Sequence, residues 1–322
     1  LDPPTVPAMF DEAEVAKGMK SIIGDIRDFE SVLTAMKSHQ PEIIIHMAAQ
    51  PLVRLSYLQP IETYATNVMG TVHVLEAARQ TSSVRAIVNV TTDKCYENRE
   101  WVWGYREDEP MGGHDPYSNS KGCSELVTAS YRNSFFNNTD SPALASARAG
   151  NVIGGGDWAN DRLVPDILRA FQENKPVVIR NPYSTRPWQH VLEPLSGYLR
   201  LAEKLYTDGA VFAEGWNLGP NEDDARPVQW IVEYMVSKWG AGASWILDES
   251  TQPHEASYLK LDISKAKSKL DWSPCWTLSS ALDNISAWHL AWIENNKMRN
   301  FSLNQIEQIT NTKLMNRDIS AL

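Results

Sequence analysis

The sequence predicts an α/β protein, with a doubly wound parallel sheet joined to a smaller α/β lobe. Three observations carry this. The apolar runs Ile43-Ile44-Ile45 and Ile87-Val88-Asn89-Val90 lack alternation, as suits parallel strands covered on both faces. Segments of helical period separate them, giving strand–helix–strand order. Small or polar residues follow the strand ends, at Ala48-Ala49-Gln50 and at Thr91-Thr92-Asp93-Lys94. Such sheets bind ligands there.

The elements follow in order. Residues 21–28 read as a short apolar strand ending in Gly24-Asp25. A helix over 29–38 follows, with Phe29, Val32, Leu33 and Met36 at helical spacing. Pro41 restarts the chain into the strand from Ile43. One long helix is expected over 60–80, with Val68, Val72 and Leu75 on one side, and then a strand over 86–90. A helix over 117–133 leads to a strand over 143–149. Beyond residue 150 segments shorten and Pro and Trp become frequent. Strands are expected over 177–180 and 215–220, an aromatic and basic turn over 185–191, and helices over 193–206, 228–239 and 264–270. Residues 1–150 thus read as one domain. Residues 151–322 read mainly as a second lobe, with segments near 186–220 returning to the first. The tail beyond Asn296 is polar and reads as loosely attached.

Composition narrows the function. The chain has 322 residues, 43% of them hydrophobic, and a formal charge of −10, with no basic block to bind nucleic acid. No apolar run nears the ~18 residues of a membrane span. Cys95, Cys123 and Cys275 lack metal-type spacing, which argues against a metal site and for a reducing cytoplasm. Leu1-Asp2-Pro3-Pro4 reads as the middle of a loop without an initiating Met, so upstream sequence is expected.

The chemistry concentrates in residues 87–121. A buried strand delivers Thr92, Asp93 and Lys94, and one loop later come Tyr117 and Lys121, four apart and so on one helix face. A phenol of ordinary pKa near ~10 is a poor base, but a nearby ammonium and a cationic cofactor ring favour the phenolate. Y-x-x-x-K alone occurs often by chance; its place after Thr-Thr-Asp-Lys gives it weight.

This order resembles the extended short-chain dehydrogenase/reductases with their Rossmann-type sheet. The run Thr92-Asp93-Lys94-Cys95-Tyr96, with 50–57 (QPLVRLSY), 115–127 (DPYSNSKGCSELV), 150–166 (GNVIGGGDWANDRLVPD) and 186–199 (RPWQHVLEPLSGYL), is similar to the nucleotide-sugar 4,6-dehydratases of the CDP-glucose branch. The resemblance implies dehydration of CDP-glucose to a 4-keto-6-deoxy sugar, in deoxysugar and O-antigen precursor synthesis, with NAD as a transient hydride store. Tyr117 would deprotonate the C4 hydroxyl, held by Thr92, while Asp93 protonates the departing C6 hydroxyl, its pKa raised by burial. Commoner relatives have Glu where this chain has Lys94. Lys94 is then either a base of lowered pKa or an ammonium stabilising the enolate, with another group as the base. For NAD the resemblance implies Asp25 and Ile26 at adenine, and Ala48, Ala49 and Gln50 at the ribose and pyrophosphate. Thr66 and Asn67 fall near the cofactor, though Asn67 equally suits a helix brace. For the sugar nucleotide it implies Asn151 and Arg186 at the diphosphate and Asn221 and Tyr258 near the nucleotide. Arg162, Arg54 and His254 are weaker. Gly154-Gly155-Gly156 is not a G-x-G-x-x-G and reads as shaping the loop. A homodimer or homotetramer through helices near 60–80 and 117–133 is expected. Residues 1–20 do not supply the family's Gly-rich dinucleotide loop, so this chain alone is expected to bind NAD poorly. Competing readings are a sister dehydratase, a 4-epimerase, or a non-catalytic binding module.

Overall fold

The computed structural model describes residues 3–240, 242–250 and 256–320. Its helices are α1 (Met9–Glu12), α2 (Phe29–His39), α3 (Val53–Leu58), α4 (Pro60–Tyr64), α5 (Gly70–Arg79), α6 (Pro116–Ser134), α7 (Leu163–Gln172), α8 (Leu192–Asp208), α9 (Val228–Trp239), α10 (Ser264–Lys269), α11 (Leu278–Ile293) and α12 (Met298–Ser320). Its strands are β1 (Ile43–His46), β2 (Ala86–Val90), β3 (Ala143–Ala149), β4 (Asn151–Ile153), β5 (Val177–Ile179), β6 (Thr185–His190), β7 (Gly215–Leu218), β8 (Ala225–Pro227) and β9 (Trp245–Leu247).

β1, β2, β3 and β7 form one parallel sheet in that order. β3 is buried throughout, and its two faces do different work. Ala143, Ala145 and Ala147 cluster with Tyr198, Leu201 and Leu205 of α8. Leu144 joins Ile87, Leu75 and Phe136 on the opposite face. The result is a sheet between two helical layers. A second core gathers Val164, Ile167 and Phe171 of α7, Val177 and Ile179 of β5, Ile231 and Met235 of α9, and Leu282 and Ile285 of α11. β4, β6 and β8 form a three-stranded sheet, and β5 pairs with β9.

Several expectations change. Residues 21–28 form no strand, and Ile22 and Ile23 are exposed. An extended segment needs a ladder partner for its backbone groups. None lies beside it among the described residues, and β1, at the sheet edge, leaves Ile43 44% exposed. The helix expected over 60–80 is interrupted by a π-helical turn, Ala65–Met69, between α4 and α5. Within the stretch 185–191, residues Thr185–His190 are strand β6, not a turn. Its residues 186–190 are buried on both faces, which removes the alternation that marks a half-buried strand. The polar tail is helix α12, with Met298, Gln305 and Ile309 buried. Its Lys313 donates to the wholly buried Glu193 carboxylate at 2.8 Å.

Candidate active site

α6 sets the first half of the site. Its N-cap Asp115 accepts from the Ser118 backbone N–H (2.9 Å) and hydroxyl (2.6 Å), and Pro116 occupies the first turn. This places Tyr117 in that first turn and Lys121 one turn on, both buried. Gly122 lets the helix lie against the loop beneath, since a Cβ there would stand 2.7 Å from the Gly112 carbonyl. The Lys121 ammonium donates to the Val90 carbonyl at 3.2 Å. Burial lowers its pKa to about 8, with the Glu125 carboxylate pulling the other way. Burial also pushes the Tyr117 phenol up to about 12 and outweighs a hydrogen bond with Thr92. Lys121 is turned to the Val90 carbonyl and does not offset that rise.

The second half lies past β2, where Thr92 caps a 3₁₀ turn, Asp93–Cys95. Asp93 is fully buried. Its Oδ1 accepts from the Thr92 hydroxyl at 3.0 Å and lies 3.6 Å from the Lys94 ammonium. Its Oδ2 has no hydrogen-bond partner among the described residues. Lys94, partly exposed, also donates to Asn151 Oδ1 at 3.4 Å.

Both halves border one cavity of about 1180 Å³, lined among others by Thr92, Lys94, Tyr117, Asn151, Arg162 and Arg186. Asp93 sits behind the wall. Arg186 is buried, donating to the Thr185 carbonyl at 3.1 Å and to the Ala256 carbonyl. Arg162 lies 3.6 Å from Asp157, and Arg54 donates to Asp161 at 3.3 Å. Two of the lining residues that sequence reasoning missed are polar and stand out. Arg180 follows β5, so the strand-end rule applied to Thr92 would have found it; it donates to Asp161 at 3.1 Å. Tyr198 of α8 is a second buried phenol in the wall, and nothing in its spacing marks it. Gly155 serves packing, since a Cβ there would stand 2.3 Å from the Trp288 ring.

Other expected residues lie elsewhere. The Asp25 carboxylate accepts from Arg27 at Nε (3.0 Å) and Nη2 (2.6 Å) and from its backbone N–H (2.9 Å), which hold its pKa down to about 2. The Ile26 carbonyl bonds His73 Nδ1 at 2.9 Å. Ala48 is exposed and Ala49 half-buried beyond β1. Asn67 accepts from the Gln50 N–H (2.8 Å) and donates to its carbonyl (3.1 Å) and to Ser120 Oγ (2.9 Å). It therefore braces the loop after β1 against α6; Thr66 beside it is half-buried. Asn221 is exposed outside the cavity lining and accepts from Lys267 at 2.8 Å. Tyr258 also lies outside that lining, its carbonyl accepting from Asn98 at 3.2 Å. His254 falls outside the described residues. Among the described residues no three His, Cys, Asp or Glu side chains gather to hold a metal ion. No described helix is long and apolar enough to cross a membrane.

A parallel sheet with a helix-borne Tyr–Lys pair facing a Thr-Asp strand end defines an extended short-chain dehydrogenase/reductase. A family profile described as GDP-mannose 4,6 dehydratase matches residues 7–285. The CDP-glucose 4,6-dehydratase of Salmonella typhimurium is 62% identical over 302 residues, which is 92% of this chain and 84% of that protein. The dTDP-glucose 4,6-dehydratase of the same species is 23% identical over 299 residues, 85% of this chain and 80% of that one. Among solved structures, dTDP-glucose 4,6-dehydratase from Bacillus anthracis in complex with NAD has a TM-score of 0.72 at 21% identity, covering 91% of this chain and 88% of its own. UDP-glucose 4-epimerase from Thermotoga maritima has a TM-score of 0.74 at 21% identity, covering 84% of each. The chain belongs to the GDP-mannose 4,6 dehydratase family.

Proposed function

We propose that the protein is an NAD-dependent hydro-lyase that converts CDP-glucose to CDP-4-dehydro-6-deoxyglucose and water. One observation carries the reading: Tyr117, Thr92 and Lys94 meet at one cavity that Arg162, Arg180 and Arg186 supply with positive charge. The 62% identity to a CDP-glucose 4,6-dehydratase supports the choice of substrate.

The donors at the sheet's C-terminal end fit the nicotinamide ribose of NAD: Tyr117 and Lys121 offer a hydroxyl and an ammonium from one face of α6. Asp25 accepts from Arg27, and its partly exposed carboxylate keeps acceptor sites for the adenine amino group. When bound, NAD supplies the acceptor for the C4 hydride and the donor that returns it to C6. The remaining steps belong to the chain. Tyr117 takes the C4 hydroxyl proton while Thr92 orients that oxygen; the positive charges of NAD and Lys121 must offset the burial that raises the phenol. The 4-keto group makes C5–H acidic. Lys94 acts at C5, either as the base that takes this proton or as the cation opposite the enolate while another group takes it. Asp93 gives its proton to the C6 oxygen, which leaves as water, and C5 is reprotonated. Arg186 and Arg162 hold the diphosphate, with Asn151 beside them; a planar guanidinium suits that contact.

The test is incubation of the full-length protein, supplied with NAD, with CDP-, dTDP-, GDP- and UDP-glucose, scoring 4-keto-6-deoxy product. Product from CDP-glucose alone is expected; none from CDP-glucose rejects the assignment.

The protein works as a homodimer or homotetramer in the cytoplasm. Ile61 (80% exposed) and Leu126 (61%), with Tyr64 and Met69, leave apolar surface on α4, the π turn and α6, which supports pairing with a second copy there. Light scattering of Ile61→Asp/Leu126→Glu should show monomer where the parent shows a larger species. Three free cysteines accord with a reducing compartment.

A further inference from the structure

Behind the strand end lies a buried ion pair that the steps above do not use. Glu125 stands one turn after Lys121 and two after Tyr117, on the same face of α6. Arg148 of β3 meets it in a bidentate contact, Nε to Oε1 at 3.0 Å and Nη2 to Oε2 at 2.9 Å. Their side chains are 5% and 6% exposed. The carboxylate also accepts from the Ser146 hydroxyl at 2.6 Å and from the Thr91 hydroxyl. Arg148 Nη1 donates to the Tyr96 hydroxyl at 2.7 Å and the Glu107 carbonyl at 2.9 Å. Tyr96 in turn donates to Asn217 Oδ1 of β7 at 2.6 Å. The fold makes room for the guanidinium: a Cβ on Gly215 would stand 2.5 Å from Nη2.

Stability alone is a weak reason for such a pair, because desolvation offsets much of the attraction and a well-packed apolar pair often serves as well. Its attachments are more telling. Thr91 and Tyr96 are the residues immediately before and after 92–95, the segment that carries Thr92, Asp93 and Lys94. The segment is a single 3₁₀ turn, without a helix's internal ladder to hold its angle. We propose that Glu125–Arg148 is a positioning element for catalysis. Through Thr91 at one end and Tyr96 at the other, it fixes the turn relative to Tyr117 and Lys121, which share α6 with Glu125. The inference rests on the dehydratase reading.

Thr91→Val and Tyr96→Phe each delete one link and leave the ion pair in place. Each alone should lower kcat with CDP-glucose about tenfold. The double variant should lose about 30-fold or more, since displacements near 1 Å cost on the order of 100-fold. KM should stay within about threefold, as the diphosphate is held elsewhere, and Tm within about 5 °C. Absorbance at 340 nm should build up during turnover, because elimination at the turn slows more than oxidation at the helix. Glu125→Gln, which keeps the shape and removes the charge, should give the same pattern. A kcat within threefold of the parent in the double variant overturns the inference. So does a rise in KM without loss of kcat, which would make Tyr96 a substrate contact. Slowing without 340 nm build-up also overturns it. A parent that makes no product from CDP-glucose sinks the dehydratase reading first, and this inference with it.

Discussion

Two pairs of ionisable groups lie in or behind the wall of one cavity and are held in different ways. Tyr117 and Lys121 ride on a 19-residue helix whose start is fixed by Asp115 and Pro116. Burial drives both toward their neutral forms, the phenol up and the ammonium down. Asp93 and Lys94 ride on a three-residue turn, with Asp93 Oδ1 3.6 Å from Lys94 Nζ. A long helix holds buried groups in place by its own ladder, so they need no charge between them. A single turn has no such support and depends on contacts: Thr92 and Lys94 to Asp93, and the links through Thr91 and Tyr96. Oxidation at C4 thus rests on burial, and elimination across C5 and C6 rests on pairing.

Removing the helix-borne base should have the largest effect. Tyr117→Phe should lower turnover about 10³- to 10⁴-fold, with no transient at 340 nm in a stopped-flow trace, because both stages follow from C4 oxidation. A burst of reduced cofactor in this variant would show that the phenol is not the base. Next in size is Lys94→Ala. Product formation should fall about 10²- to 10³-fold while the first oxidation survives, so reduced cofactor accumulates. Normal turnover would remove Lys94 from the mechanism, and loss without accumulation would mean that the two pairs are not separable.

The same contrast explains what was legible in the sequence. Elements with one covered face, or with two covered faces and a clear strand end, were readable: β2 from its apolar run, and β3, α6 and α9 to within a residue of their bounds. The turn over 185–191 was misread because buried positions followed one another without alternation. α11 went unread although Leu278, Ala281, Leu282 and Ile285 keep helical spacing. Within the site, the residues expected from their neighbours in sequence, Thr92, Asp93, Lys94, Tyr117 and Lys121, lie in or behind the wall of one cavity. Tyr198 reaches the cavity only because α8 lies across the alanine face of β3. Glu125 and Arg148 are 23 residues apart, and no spacing rule joins them. Asn221 was assigned by its place after Gly219-Pro220, but its turn carries it outside the cavity lining.

The smallest effect tests the claim that burial sustains the helix-borne pair. Lys121 has a folded pKa of about 8 against an ordinary 10.5, so below pH 8 the protein bears the cost of a buried charge. Between pH 8 and 10.5 the folded form has released a proton that the unfolded chain keeps, and stability from this group rises with pH. Tyr117 acts in the opposite sense above pH 10, where the unfolded phenol ionises before the folded one at about 12. The rise should therefore be visible from pH 8 to 10. Lys121→Met fills the same space without the charge. At pH 7 it should be more stable than the parent by about 1–3 kcal/mol in urea unfolding, a margin that shrinks toward pH 10, while activity is lost. A variant less stable than the parent, by a margin unchanged across that range, would mean that the bond to the Val90 carbonyl outweighs desolvation. The helix-borne pair would then be held by contact, as the turn-borne pair is.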